Sequence, residues 1–499
     1  MASQRATLIA PPPRPDAAPG TQSTPPILLL VVAALVMPVM LAYALTTNNE
    51  LRVVAGFIGL LGALTIVWRP FWGLIFLVGL IYIRVEEAVP ELAGTRLTLL
   101  VSLATLVGTM LQMMLSKERL ARTPLVGMVA GFVVVVCLST LNWGTTSEAM
   151  EVMAKLALLV LLVLNLVRTP QRYQAVVTAV LVFTGYLSLY AVYGYFTGAA
   201  MQYQGVDRSM ATGIFADPNQ LSAAIIFGLA LTLMRIPKAS TRGRIFFIGL
   251  ASVMVTTILM THSRGGMLAL VAVTFGFCIL FMRRKTLAVA LALVLSAVLL
   301  VAAPSRMTEF DSAETSANER FLFWKFGFNQ LRAYPLTGVG FRRFTEVNPR
   351  RKTSHNSFVQ CFSELGLPGY FFWMGCLYYA FRQRPRKVPP DQLPLLNPEQ
   401  QRESPDRPVP PALAEAVATD VIGARLGLMG FLVAVFWLSR TYVENTWLFI
   451  ALTVAAQLVA GTGVVRLNGK ERFNDWARIL GLCFGSILFI KLMADYYTR

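Results

Sequence analysis

The sequence is poor in charge, in histidine and in paired cysteines. Of its 499 residues only 14% are charged, whereas soluble globular proteins carry about 25%. The chain is 56% hydrophobic and has two histidines and five cysteines, with no Cys-x-x-Cys pair. This composition excludes a disordered chain and a disulfide scaffold, and we expect the cysteines to be buried small apolar residues. Lys and Arg exceed Asp and Glu by 18, an excess that membrane proteins carry at the cytoplasmic ends of their helices, without any nucleic acid.

Long apolar runs follow one another along most of the chain. A helix needs about 20 apolar residues to cross a bilayer, and lipid admits only helices or closed barrels. The runs therefore predict an all-α, polytopic integral membrane protein with about 14 (13 to 15) transmembrane helices and a large, partly helical outer loop. The predicted blocks are 27–45, 53–67, 71–83, 97–115, 125–141, 153–167, 173–197, 221–234, 245–261, 266–282, 286–303, 357–381, 421–438, 446–464 and 479–494.

Proline-rich segments divide the chain into regions. Residues 1–26 hold seven prolines and no hydrophobic block, which predicts a disordered cytoplasmic tail and no cleavable signal peptide. A second proline-rich stretch, 385–411, predicts a solvated cytoplasmic linker. The predicted regions are thus the tail 1–26, N-terminal helices 27–197, a region 198–381 with the long loop 304–356, the linker 382–420 and C-terminal helices 421–499.

Basic residues alternate between the turns that join the predicted helices. With the N-terminus in the cytoplasm, every cytoplasmic turn between helices carries at least one Lys or Arg, and most carry clusters. The outer turns are poorer in positive charge, as in the stretch Asn142–Met150, so the alternation supports this orientation. The last block, 479–494, either crosses the membrane or lies along its interface.

The long outer loop 304–356 breaks the charge rule, because nine basic residues face five acidic ones. One explanation is that a long loop ignores the rule or rests on anionic lipid headgroups. The other is an anion site, in which guanidinium groups hold a phosphate or diphosphate. Helix-compatible periodicity around 321–331 predicts that the loop is ordered.

Several further polar residues lie at predicted outer boundaries. A neutral His355 can accept a proton from a hydroxyl, although a lone histidine is commonly only a hydrogen-bonding boundary residue. Arg264 follows His262 at a helix junction, where a charge near the membrane needs a partner. Asp217 and Asn219 are explained on structural grounds as helix caps. Glu364 lies inside an apolar helix and is expected to face protein or water.

Four motifs, in this order, resemble the O-antigen ligase and O-antigen polymerase family of multispanning bacterial glycosyltransferases. They cover about a third of the chain, from about 200 to 381. The motifs are Arg208…Gly213-Ile214-Phe215…Pro218-Asn219, Ser263-Arg264-Gly265-Gly266, Arg320…Trp324 with Pro335-Leu336-Thr337-Gly338-Val339-Gly340-Phe341, and His355-Asn356-Ser357-Phe358…Glu364-Leu365-Gly366-Leu367-Pro368-Gly369.

The resemblance implies an inner-membrane enzyme of surface polysaccharide biosynthesis (O-antigen, lipopolysaccharide or exopolysaccharide) whose catalytic region 198–381 faces the periplasm. It implies inverting transfer of a glycan from undecaprenyl diphosphate to an acceptor hydroxyl, without a metal or other cofactor. By this resemblance Arg208 and Arg264 hold the diphosphate and His355 orients or deprotonates the acceptor. Residues with further expected roles in substrate binding are Arg320, Asn356, Asp217, Asn219 and Glu364.

The motifs leave several functions open. A polymerase, which we favour, lengthens a lipid-linked chain, whereas a ligase passes the finished chain to lipid A core or to a protein. A flippase for lipid-linked glycans would also need many helices and an arginine-lined cavity, but we find no internal symmetry of the kind common in transporters. A non-catalytic subunit of an envelope assembly is a third class. The expected partners are the lipid-linked donor, a glycan acceptor, the bilayer and other polysaccharide-assembly proteins, with no nucleic acid.

Overall fold

A computed structural model describes most of the chain. The described residues are 50–88, 92, 94–141, 146–203, 206–281, 284–301, 310–384 and 411–498. The predicted tail 1–26, the first predicted helix 27–45 and the linker residues 385–410 lie outside them.

The chain forms two compact units, Met1–Thr65 and Ile66–Arg499. In the first unit the description begins at Glu50, in the helix α1. The second unit contains all the other elements and every residue discussed below.

Helices account for 79% of the structure, and their bounds follow in chain order. They are α1 Glu50–Trp68, α2 Pro70–Ile83, α3 Val85–Ala88, α4 Leu97–Ser116, α5 Pro124–Ser139, α6 Thr146–Leu166, α7 Pro170–Phe196, α8 Pro218–Arg235, α9 Thr241–Met260, α10 Arg264–Phe281, α11 Lys285–Val301, α12 Phe310–Ala333, α13 Phe344–Val347, α14 Ser357–Phe381, α15 Pro411–Val435, α16 Glu444–Val459 and α17 Gly469–Tyr497.

The structure confirms an all-α membrane protein. Each predicted apolar block from residue 53 onward coincides with a helix. Within the described ranges seven helices are long and apolar enough to cross a membrane, and five shorter apolar helices accompany them. The number of spans stays a prediction. Five of the described helices begin with proline in the first turn (α2, α5, α7, α8 and α15), where its missing N–H costs nothing.

Two helix boundaries differ from the apolar blocks. The helix α15 begins at Pro411, ten residues before its block, because Pro is compatible with a helix start and the alanine-rich stretch after it favours a helix. The helix α17 runs for 29 residues, from Gly469 to Tyr497, and is itself a candidate span. The helix expected near 321–331 is present as α12.

A short β-hairpin interrupts the helices between α7 and α8. Its strands, β1 Met201–Tyr203 and β2 Val206–Arg208, pair antiparallel with Met201 opposite Arg208. A 3₁₀ turn, Gly213–Ala216, then leads into α8. Too short to show as apolar blocks, these elements hold the segment between α7 and α8 in place.

Close packing of small residues brings the central helices together. Gly427 of α15 lies against the backbone of Phe227 in α8, where an added Cβ would be 3.0 Å from the Phe227 carbonyl oxygen. The ring of Phe227 stacks on Phe449 of α16, with 4.1 Å between the ring centroids. Close backbone approach at small residues is the usual way in which helices associate without a hydrophobic driving force between them.

One end of this bundle holds the candidate functional residues, and we call it the site end. There α2, α9 and α15 finish, and α8, α10, α14 and α16 begin. Hydrogen bonds tie these helix ends together, among them Arg84 Nη2 to Glu444 Oε2 at 2.9 Å and Ser357 Oγ to the Leu438 carbonyl at 2.7 Å. The site end is thus built from loops that are distant in sequence.

The opposite end of the bundle carries its own ion pairs. Arg168 contacts Glu118, Arg235 contacts Asp420 and Arg382 contacts Asp475, at 3.0, 3.0 and 2.7 Å. The arginines of these pairs belong to the turns that the charge rule assigns to the cytoplasm. The two ends are therefore chemically different, although which side of the membrane each one faces stays a prediction.

The helix α14 is kinked where two sequence motifs meet. Gly366 has a φ of 65° and ψ of −169°, outside helical values, and Pro368 has no N–H to continue the helical ladder. The segment 335–341 pairs with the opened backbone: Val339 N donates to the Ser363 carbonyl and Gly340 N to the Glu364 carbonyl, each at 2.9 Å. These motifs thus have an architectural role at this kink.

Candidate functional site

Arg208 is buried at the end of the hairpin and fixed by two hydrogen bonds. Its Nε donates to the Thr261 carbonyl at 2.8 Å, and its Nη2 donates to Asn219 Oδ1 at 3.1 Å. The backbone beside it is fixed as well, since Ser209 N donates to the Met260 carbonyl at 2.9 Å. Only 8% of Arg208 is exposed. The guanidinium is therefore oriented by the start of α8 and the end of α9.

Asp217 and Asn219 form the support of Arg208. Asp217 is the N-cap of α8, as capping predicts, and its Oδ1 accepts from the backbone N of Asn219 at 2.9 Å. The same oxygen accepts from Asn219 Nδ2 at 3.0 Å, so the amide is turned with its Oδ1 toward Arg208. Asn219 therefore links the carboxylate to the arginine.

Arg264 is the first residue of α10 and lies close to the same support. Ser263 Oγ accepts from Gly266 N at 3.1 Å and begins the helix. A Cβ on Gly266 would lie 2.6 Å from Ser222 Cβ, so glycine lets α10 start against the first turns of α8. Thr261, whose carbonyl binds Arg208, stands three residues before Arg264. Arg208 and Arg264 are thus brought to one junction, with Arg264 half-buried.

His355 lies in the turn before α14 and is half-buried. Its backbone φ of 49° is left-handed, and its ring lies beside Phe323 of α12, with 6.3 Å between centroids. The preceding carbonyl, that of Ser354, accepts from Trp324 Nε1 at 3.1 Å. The turn is thereby held against α12.

The electrostatic surroundings keep His355 neutral. Burial lowers the pKa of His355 most, the positive charge of Arg320 lowers it further, and the resulting pKa is about 4. Asp217 opposes this shift, so its carboxylate and the imidazole lie within electrostatic range of each other. Asp217 therefore acts on His355 and, through Asn219, also supports Arg208. Arg320 of α12 acts on His355 as well.

Asn356 and Glu364 have structural contacts. Asn356 is the N-cap of α14, with its Oδ1 accepting from Phe358 N at 2.8 Å and Val359 N at 3.0 Å. Glu364 is 2% exposed, and its Oε1 accepts from Phe344 N at 3.2 Å. Glu364 thus faces protein, as expected, and it contacts the segment after the kink motif through Phe344 and Arg342.

Two arginines at the site end were missed by the sequence reasoning. Arg84 follows α2, and Arg440 lies in the loop between α15 and α16. Both Asp217 and Arg84 act electrostatically on Arg440. Each arginine stands at an outer turn of the predicted topology, where positive charge is disfavoured, so the charge rule that singled out the loop 304–356 could have selected these two as well.

The burial of the cysteines and the grouping of possible metal ligands follow from the structure. Four cysteines are buried, as predicted, whereas Cys137 is half-buried, and all five are free thiols. Among the residues that the structure describes, no three His, Cys, Asp or Glu side chains form a group that could hold a metal ion.

Comparison with known families identifies the central part of the chain. Residues 249–374 match the model of the O-antigen ligase family. This match confirms the resemblance to the O-antigen ligase and polymerase family and supports a function of that type in surface polysaccharide biosynthesis. Arg264, Arg320 and His355 fall within the matched residues, whereas Arg208 precedes them. Neither the curated proteins nor the solved structures gave a match to the chain.

Proposed function

We propose that the protein is an inner-membrane glycosyltransferase that transfers a glycan from undecaprenyl diphosphate to an acceptor sugar hydroxyl, as a polymerase of surface polysaccharide. The observation that carries this proposal is the convergence of Arg208, Arg264 and Arg320 with a neutral histidine at one end of the bundle. The family match of residues 249–374 supports the same reaction class. In this proposal the site end faces the periplasm.

The reaction is a single inverting displacement. The acceptor hydroxyl oxygen forms a bond to the anomeric carbon, and the bond from that carbon to the phosphate oxygen breaks. The electron pair leaves with the lipid diphosphate, where Arg208 and Arg264 stabilise the developing negative charge. The hydroxyl proton passes to the imidazole of His355. No resident metal or cofactor takes part in this route.

Substrate binding adjusts the basicity of His355. An imidazole with a pKa near 4 is neutral at pH 7 but is a weak base. A bound diphosphate brings negative charge close to the ring, and an opposite charge favours the protonated form. The donor therefore raises the pKa of His355 at the time when it must accept a proton. Without the donor, the ring stays neutral and available.

The test replaces His355 or Arg264 by Ala in the host bacterium whose own copy of the gene is deleted. We expect long surface polysaccharide to disappear in both variants, by at least about 100-fold, because each residue acts in the transition state. The measurement is the chain-length distribution of surface and lipid-linked glycan at matched protein levels. Normal long polymer in both variants would refute the proposal.

The same experiment separates polymerisation from ligation. A polymerase variant leaves single repeat units on the lipid, whereas a ligase variant accumulates long lipid-linked chains that are not transferred. A flippase variant would leave its lipid-linked glycan accessible only from the cytoplasmic side. The control is Arg425→Ala, a half-buried arginine of α15 at the opposite end that contacts Gln383, which we expect to give normal polymer.

A further inference from the structure

Arg440 is held at the site end by its backbone. Its N–H donates to Ser357 Oγ at 2.8 Å, and its carbonyl accepts from Thr446 Oγ1 at 2.7 Å. Ser357 stands two residues after His355, at the first turn of α14. Arg440 is only 9% exposed. The loop after α15 thus places a buried arginine beside the turn that carries the histidine.

The guanidinium of Arg440 has no hydrogen-bonded partner in the described part of the chain. Burial lowers the pKa of Arg440 to about 10, so the group is still charged at pH 7. Its nitrogens are not among the described fully buried atoms that lack a partner, so the donors of Arg440 reach solvent and can bind an anion. Arg425, by contrast, donates to Gln383 and to the Phe381 carbonyl.

The nearby carboxylates are already engaged. Glu444 Oε2 accepts from Arg84 Nη2 at 2.9 Å, and Asp217 Oδ1 accepts from Asn219 twice. These acids act on Arg440 through space, and Arg84 acts on it in the opposite sense. Arg440 thus lies near two carboxylates without a hydrogen bond to either of them among the described residues.

Arg84 acts electrostatically on Arg440 and is itself paired with two carboxylates. It ends α2 in a left-handed conformation with φ of 55°, and its buried Nε has no partner among the described residues. Its Nη1 and Nη2 contact Glu87 and Glu444. Arg84 and Arg440 therefore lie close to each other at the site end, near Asp217.

We infer that Arg440, with Arg84 beside it, binds the second phosphate of the lipid diphosphate whose other phosphate lies at Arg208 and Arg264. This inference rests on the proposed function. Arg208 reaches the pair Asp217–Asn219 through a hydrogen bond, and Arg440 acts on the same Asp217. Arg208 and Arg440 are thus two anion-binding groups that both interact with the pair Asp217–Asn219. Two linked phosphates match this arrangement, because one guanidinium group can bind two oxygens of a phosphate.

The experiment compares farnesyl diphosphate with farnesyl monophosphate as binding probes for the purified full chain in nanodiscs. We expect wild type to bind the diphosphate more tightly. In Arg440→Gln, affinity for the diphosphate falls by about 10-fold or more, the loss of hydrogen bonds to a charged group. Affinity for the monophosphate changes by less than about 2-fold. Arg440→Lys, which keeps the charge but not the fork, gives an intermediate value.

The controls separate the inference from the function on which it rests. Arg425→Gln, in α15 and in contact with Gln383 at the opposite end of the bundle, must bind both probes as wild type does. If Arg440→Gln keeps the wild-type preference for the diphosphate, or loses both probes equally, the inference is overturned. If wild type binds neither probe while remaining folded, the proposed function fails instead.

Discussion

At the scale of single residues, the chemistry depends on how His355 and Asp217 share one electrostatic environment. Asp217 caps α8, supports Arg208 through Asn219 and raises the pKa of His355, while burial and Arg320 lower that pKa. The carboxylate thus acts on both the proposed base and the proposed diphosphate-binding arginine. Binding of an anion at the arginines is therefore expected to raise the pKa of His355.

The low pKa of His355 predicts an unusual pH dependence. The folded, substrate-free site binds a proton only near pH 4, whereas an unperturbed histidine does so near 6.5. The neutral form acts as the base, so kcat/KM should stay constant from pH 8 to about 5 and fall toward about pH 4. Initial rates of transfer in nanodiscs at low donor concentration measure this profile.

Arg320→Gln is the matched variant for this profile. Removing the positive charge that lowers the pKa of His355 shifts the acidic limb toward neutral pH. A limb near pH 6.5 in wild type, or an identical limb in the variant, would contradict the assignment of His355 as the base. Intrinsic fluorescence at each pH confirms that the protein stays folded.

At the scale of elements, the kink of α14 explains why two glycine-rich motifs occur together. The kink frees carbonyls at Ser363 and Glu364, which then accept from the segment 335–341. Gly338, with φ of 63°, lies so close that an added Cβ would be 2.2 Å from the Glu364 carbonyl carbon. This joint ties α12 to α14, and both of these helices contribute site residues.

Gly338→Ala should therefore destabilise the protein. The alanine combines an unfavourable positive φ with a clash against backbone, which together cost about 2 kcal/mol or more. The measurement is the unfolding temperature of the detergent-solubilised protein.

Gly249→Ala in α9 is the control for Gly338→Ala. No atom lies within 4 Å of the added Cβ, and alanine favours a helix over glycine. The unfolding temperature should therefore stay the same or rise. An unchanged unfolding temperature in Gly338→Ala would show that the joint does not need a glycine at this position.

At the scale of the whole molecule, the two ends of the bundle differ in the use of their charges. At the opposite end, arginines are matched by buried acids such as Asp420 and Asp475. At the site end, Arg440 has no hydrogen-bonded side-chain partner in the described ranges, whereas its neighbour Arg84 is paired with Glu87 and Glu444. A surface that only orients the protein in a membrane needs no buried arginine without a partner.

The proposed orientation predicts which end is reached from outside. In a Cys137→Ser background, Lys352→Cys at the site end should react with a membrane-impermeant maleimide on intact spheroplasts. Lys238→Cys at the opposite end should react only after lysis. The two lysines are matched, since each side chain is 53% exposed and each contacts a glutamate. The reverse labelling pattern would contradict a periplasmic site.

Much of the fold could be predicted because each step depends on local composition. Every predicted apolar block from residue 53 onward coincides with a described helix. Helix length in a membrane is set by hydrocarbon thickness, so the length of an apolar run is enough to predict such a helix. The motif resemblance singled out Arg208 and Arg264, and Arg264 also stood out as a charge at a predicted membrane boundary. Asp217 was identified as a cap from its position before Pro218.

Other features depend on contacts between distant parts of the chain. The contact of Glu364 with Phe344 N, 20 residues earlier in the chain, is one example. The partner of Arg84 is Glu444, 360 residues further along the chain. No local pattern reveals such a pairing, because it arises only when two loops meet at the same end of the bundle.

The sequence by itself determined that this is a helical membrane protein with positive charge at turns where topology disfavours it. Hydrophobic length and the sign of flanking charges are properties of short segments, so they need no folded context. Only the tertiary structure decided which arginines lie together, which are neutralised and which remain without an anion. Burial and charge pairing are properties of the assembled helix ends, where Arg440 lies beside the turn of His355 and within reach of Asp217.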